Sequence, residues 1–201
     1  GGNLTFPANN PAGRPAVFTV RVPVLQSPQN LPAARYRMVS TPIDLDLPFI
    51  ALQLAIDYGI YNPTRWRVFR WESNGNVEVP NINAPFAPGQ AFWLITDKGI
   101  PYAVRGGTSV DTYNPRIIPL DTGWTQIGNP FAFRVGWQIV TASVPGSVRG
   151  PYWFDGSQYR IANELVPCEG YFVRNEAQYP VQLSVPPIES FGLIGKSGVA
   201  A

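Results

Sequence analysis

Phe86-Ala87-Pro88-Gly89-Gln90-Ala91-Phe92-Trp93-Leu94 returns later in the chain as Leu165-Val166-Pro167-Cys168-Glu169-Gly170-Tyr171-Phe172-Val173. In each copy a proline turn leads into a run of apolar residues. Ala91, Trp93 and Ile95 point one way, and Phe92 and Leu94 point the other. Apolar residues on both faces predict a strand covered on both sides. The echo extends outward. Tyr36-Arg37-Met38-Val39-Ser40-Thr41-Pro42-Ile43 is matched by Trp124-Thr125-Gln126-Ile127-Gly128-Asn129-Pro130-Phe131, and Ile100-Pro101-Tyr102-Ala103-Val104 by Tyr179-Pro180-Val181-Gln182-Leu183.

Between these matches lies an aromatic strand. Trp66-Arg67-Val68-Phe69-Arg70-Trp71 alternates with period two, as a strand requires. Phe69 and Trp71 share one face, assigned to the core; Trp66, Val68 and Arg70 share the other. Tyr152-Trp153-Phe154 is its counterpart, with Tyr152 and Phe154 in the places of Phe69 and Trp71. Ser73-Asn74-Gly75-Asn76 and Asp155-Gly156-Ser157 follow as hairpin turns, because Asn-Gly and Asp-Gly tolerate positive φ. Val77-Glu78-Val79 and Tyr159-Arg160-Ile161 are the return strands.

One short helix is predicted near 48–58, with Asp46 as cap, Pro48 in the first turn and Gly59 as stop. Its counterpart around Val135–Val140 is shorter. The predicted fold is therefore all-β, built of two tandem, related, sandwich- or barrel-like repeats packed together. Residues 1–15, rich in Gly, Pro and Asn, read as a linker or arm. Residues 16–110 form the first repeat with an N-terminal strand, 111–187 the second, and 188–201 a tail.

Composition narrows the function classes. Of 201 residues, 14% are charged, against about 25% in an average soluble protein. Lys98 and Lys196 are the only lysines, the formal net charge is +2, and the arginines are scattered. No basic stripe exists, so nucleic acid is not an expected partner. No apolar run reaches the roughly 18 residues of a helical membrane span, so no membrane insertion is expected. Neither a signal peptide at Gly1 nor a C-terminal sorting domain is read in the chain.

The side chains of common catalysis are scarce. Histidine is absent, which removes Ser-His-Asp and Cys-His chemistry and histidine metal sites. The single cysteine, Cys168, sits at a turn and reads as a structural thiol. Asp44, Asp46, Asp57, Glu72, Glu78, Asp155 and Glu164 could supply a pair of glycosidase carboxylates, but none stands in a recognisable context. Asp44 with Asp46, or Asp155 with Ser157, offers oxygen ligands without the spacing of a calcium loop. Arg105-Gly106-Gly107-Thr108-Ser109 lacks the lysine of a phosphate loop and reads as an ordinary turn. No catalytic residue, metal ligand or cofactor is assigned.

Two binding features remain. Trp66 and Trp153 point away from the expected core, and Tyr61 and Trp137 fall in loops; these four are the candidate platform for stacking sugar rings. Phe18, Val20, Val22 and Val24 alternate along an N-terminal strand. That strand either opens the first repeat or is lent to a neighbouring subunit, because an unpaired strand this apolar invites association.

The matched motifs, with Gly123-Trp124 ahead of the second copy, resemble a module of large secreted and cell-surface proteins of Bacteroidetes-type bacteria associated with type IX secretion. The resemblance spans about residues 17–187 and brings no catalytic residues with it. It implies an extracellular or cell-surface, non-catalytic structural or adhesive module, with protein partners or self-assembly through the N-terminal strand. The alternative is a carbohydrate-binding module that takes glycans on exposed aromatics.

Overall fold

The computed structural model describes residues 19–72, 75–78 and 85–190. The first half contains β1 (Arg21–Asn30), β2 (Arg37–Ser40), β3 (Ile43–Leu45), α1 (Ile50–Tyr58), β4 (Trp66–Glu72), β5 (Gly75–Glu78), β6 (Ala91–Thr96) and β7 (Pro101–Ser109). The second contains β8 (Arg116–Leu120), β9 (Gly123–Gly128), β10 (Val135–Gly136), a 3-10 turn at Trp137–Ile139, β11 (Thr141–Ala142), β12 (Val148–Phe154), β13 (Tyr159–Ile161), β14 (Glu164–Leu165), β15 (Gly170–Asn175) and β16 (Val181–Val185). The fold is all-β with a single α-helix among the described residues.

Each half pairs a three-stranded sheet with a four-stranded one. The orders are β1-β7-β3 and β2-β6-β4-β5 in the first, and β8-β16-β11 and β9-β15-β12-β13 in the second. The stretches matched in sequence fall on β2 and β9, β4 and β12, and β6 and β15, whereas β3 and β11 do not fall at matched positions. A short β10-β14 ribbon is added in the second half, where the first half has a single bridge between Phe49 and Pro85. Trp66, Val68, Phe92, Leu94, Tyr102 and Val104 fill the first core, with Ile50, Leu54 and Tyr58 of α1 laid against it. Ile118, Leu120, Ile127, Tyr171, Val173 and Leu183 fill the second. Each such large apolar side chain contributes about 1.5–3 kcal/mol on burial.

Several sequence expectations change. Helix α1 begins at Ile50 with Phe49 as N-cap and no side-chain cap. Asp46 does not cap it, because its carboxylate pairs with Arg21 of β1. Packing holds the helix in place: Ile50, Leu54 and Tyr58 recur at i, i+4 and i+8. The buried Gln53 amide bridges Leu47 O and Arg105 O and accepts from Arg105 N. Gly59, at φ 79°, ends it as expected.

Residues 105–109 form no turn, since β7 runs through to Ser109 between β1 and β3. Glycine is needed there because a Cβ at Gly107 would lie 2.5 Å from Asp44 O. The N-terminal strand pairs within its own chain. Val22 and Val24 pair with Gly107 and Arg105 of the same chain, and Val20 N donates to Ser109 Oγ. Phe18, the 1–15 arm, Ser73-Asn74, Val79 and most of the 188–201 tail lie outside the described residues.

The two halves meet through their four-stranded sheets, and the contacts exchange in pairs. Ser40 N donates to Cys168 O, and Gly128 N donates to Gly89 O. Val39 bridges Glu169, and Ile127 bridges Gln90. Trp93 meets Phe154 edge-on at 5.3 Å, and Phe172 meets Trp71 edge-on at 5.7 Å. In each pair the partners exchange positions that are matched in sequence.

Candidate functional site

The junction opens because its side chains grow in size along the strands. At one end the layer is thin. A Cβ at Gly128 would sit 2.3 Å from Ser40 Cβ, and one at Gly170 would sit 2.7 Å from Ala91 Cβ. Two residues farther along, Met38, Trp93, Gln126 and Phe172 stand in the same rows. Two farther still, Tyr36 and Trp124 do. Rings cannot approach as closely as glycines, so the sheets diverge and leave a wedge-shaped cleft.

Two open recesses make up this cleft. One, of about 320 Å³, lies between Tyr36, Phe69 and Trp93 on one side and Phe154 on the other. The second, of about 470 Å³, lies between Trp71, Trp124 and Tyr152. Trp71, Tyr159 and Phe172 line both. Volumes of this size suit a small ligand or part of a chain. Tyr36, Trp124 and Tyr159 remain 39%, 43% and 51% exposed at the mouth.

Hydrogen bonds fix the floor across the junction. Trp71 N donates to Gln126 Oε1 at 2.7 Å, and Trp71 Nε1 donates to Trp124 O at 3.1 Å. The ring of Trp71 therefore cannot rotate without losing a bond to the other half. Gln126 is 8% exposed, and its Nε2 has no partner among the described residues.

Arginines border the cleft. The Arg174 guanidinium lies 5.8 Å from the Trp124 ring centre, and that of Arg67 lies 4.9 Å from the Phe69 ring centre. Arg67 is ion-paired with Glu78, which also accepts from Tyr61 OH at 2.7 Å. The bond from Arg67 holds the Glu78 carboxyl below its ordinary value. At the β12–β13 turn, Asp155 accepts from Arg160, Ser157 and Gln158, and these bonds hold its carboxyl well below the usual range. Arg37 Nη1 donates to Phe154 O across the junction.

The four stacking residues expected from sequence do not come together. Trp66 is 1% exposed, with Nε1 donating to Gly59 O, so its faces are sealed in the first core. Tyr61 packs edge-on against it at 5.0 Å. Trp137 and Trp153 are half-buried against the second core. The aromatics that do gather, Trp71, Trp124 and Tyr159 above all, were assigned to core or to matched scaffold. Their signal was present in the matched pair Tyr36/Trp124, large rings that open equivalent strands.

The candidate carboxylates are mostly neutralised. Asp46, Asp57, Glu72, Glu78, Asp155 and Glu164 pair with Arg21, Arg105, Arg70, Arg67, Arg160 and Arg134 respectively, and Asp44 is exposed. Among the described residues no cluster of three or more metal-ligating side chains occurs. Cys168 is buried, and desolvation pushes its thiol up to about 12. Beside it, Glu169 is pushed upward by burial; its Oε1 has no partner among the described residues and its Oε2 lies 3.4 Å from Tyr171 OH.

No helix among the described residues is long and apolar enough to cross a membrane. Comparison with protein-family models, with curated proteins and with solved structures found no match.

Proposed function

We propose that this chain is a non-catalytic adhesive module of a secreted or cell-surface protein, and that it binds carbohydrate in the aromatic cleft between its halves. One observation carries the proposal: three partly exposed rings, Tyr36, Trp124 and Tyr159, stand at the mouth of a groove floored by Trp71, Trp93 and Phe172. Flat indole and phenol faces match the apolar faces of pyranose rings, while polar groups at the rim take the hydroxyls. Asn76 in the lining and the bordering Arg67 and Arg174 supply such groups. The lack of histidine and the pairing of most acidic groups with arginine favour binding over reaction.

Glycan-array screening followed by calorimetry tests the proposal. Wild-type protein is expected to bind a pyranose polymer, and Trp124→Ala to bind it at least tenfold more weakly while remaining folded, with only a small fall in melting temperature. Absence of binding to any glycan, or full binding by Trp124→Ala, would remove the cleft from consideration.

A further inference from the structure

We infer that the cleft is selective for acidic sugars, taking a pyranose carboxylate on Arg174 while the ring stacks at Trp124; this inference rests on the carbohydrate reading above. Strand alternation puts Arg174 on the cleft side of β15, in the row of Gly170 and Phe172, and opposite Trp124 in the β15–β9 ladder. The guanidinium stays near the indole, exposed, with no carboxylate partner among the described residues. A ring resting on the exposed part of Trp124 would thus meet an unclaimed pair of guanidinium donors at its edge. Guanidinium binds carboxylate through two parallel hydrogen bonds, a geometry that a neutral hydroxymethyl group cannot reproduce.

The wider rim points the same way. Arg35 and Arg37 reach within 3.7 Å of where a side chain on Gly156 would begin, at the mouth beside Phe154. Arg67 stands at the rim too, over Phe69, but is engaged with Glu78, and Arg160, in register with Trp153, lies on the opposite face from Tyr159. Arg35, Arg37 and Arg174 therefore stand at or near the mouth with no carboxylate ion pair among the described residues, although Arg37 also faces Glu169. A cleft with excess positive charge and low-dielectric aromatic walls concentrates anions. The net charge of the whole chain is only +2, so the excess is local.

The test compares oligogalacturonate with the same oligomer after its carboxyl groups are reduced, by calorimetry at low and at physiological salt. The acidic oligomer is expected to bind at least tenfold more tightly than the neutral one, with the difference shrinking as salt rises. Arg174→Ala is expected to erase the difference by lowering affinity for the acidic oligomer at least tenfold, and Arg174→Lys to restore part of it. Arg174 is exposed and has no carboxylate partner among the described residues, so its removal leaves the fold intact, which a melting curve checks. Equal binding of both oligomers by wild type, or an Arg174→Ala protein that keeps the preference, overturns the inference and leaves the carbohydrate reading standing. Binding of neither oligomer, together with a blank glycan array, removes both.

Discussion

Ser40 and Gly128 hold matched places in the two halves and touch each other: a side chain on Gly128 would begin 2.3 Å from Ser40 Cβ and 2.6 Å from Gln90 O. Sequence alignment of the copies therefore pairs two residues that also meet in space. One must be small for the other to carry a side chain. Ser40 uses its hydroxyl, donating from Oγ to Glu169 O at 2.7 Å. The junction is closest here, and it fixes how far the sheets diverge farther out.

Gly128→Ala should accordingly be costly. Backbone and a short side chain both block the new methyl, so relief requires the sheets to move apart. Destabilisation of about 3 kcal/mol is expected, or a fall of roughly 5–10 °C in melting temperature for a chain of this size. The swapped pair Ser40→Gly with Gly128→Ala should regain part of the loss, because one of the two clashes is removed and that with Gln90 O persists. Additive costs in a double-mutant cycle would show that the two positions do not compete for space.

Cys168 lies in the first core although its turn belongs to the second half, and its backbone sits at φ 66°. The matched turn residue, Gly89, has φ 91°. Burial and the raised thiol both predict inertness toward a soluble thiol reagent in the folded state. Labelling followed through a urea titration should coincide with loss of tryptophan fluorescence. Rapid labelling of native protein would mean that the turn opens independently of global unfolding.

The period-two pattern of Trp66–Trp71 was legible as a strand, and so was the sorting of its residues onto two faces. Which face points inward was not. Alternation fixes relative direction only, and Trp66 with Val68 took the core while Phe69 and Trp71 took the junction. The helix near 48–58 was legible from its flanks, but Asp46 answered to a distant arginine rather than to the nearby helix end. Gly106-Gly107 imitated a turn because a strand squeezed against Asp44 needs the same residue. The cleft itself depends on the meeting of β4 and β6 with β9 and β15, across separations that no local pattern encodes.

Glu169 should give the stability of the fold a measurable pH dependence. Burial raises its carboxyl above the ordinary 4.5, so the folded chain holds that proton more tightly than the unfolded one. The group's contribution is then full below the unfolded value and lost as pH rises through the folded value. Asp155 has the opposite sign: its contribution is present above 3.8 and lost as pH falls through its lowered value. Comparison with Glu169→Gln separates the two. The variant should be more stable than wild type at pH 8, and the gap should shrink toward pH 4. A gap independent of pH in urea unfolding would mean that Glu169 is well solvated in the folded chain.

Trp66 and Trp124 should separate core from platform. Trp66 is sealed between α1, β4 and the Gly59 carbonyl, so Trp66→Ala opens a cavity and should cost about 3–5 kcal/mol. Glycan affinity of the fraction that remains folded should change little, because no cleft ring touches that indole among the described contacts. Trp124→Ala should do the reverse. Its ring is partly exposed and contacts Tyr152 and Phe172 at the cleft edge, so stability should fall by less than about 1.5 kcal/mol while binding is lost. Titration calorimetry and thermal melts on both variants decide the matter. Should Trp66→Ala abolish binding at full folding, the ligand would have to sit near Tyr61 and Glu78 on the outer side of the first half, and the junction would be scaffold alone.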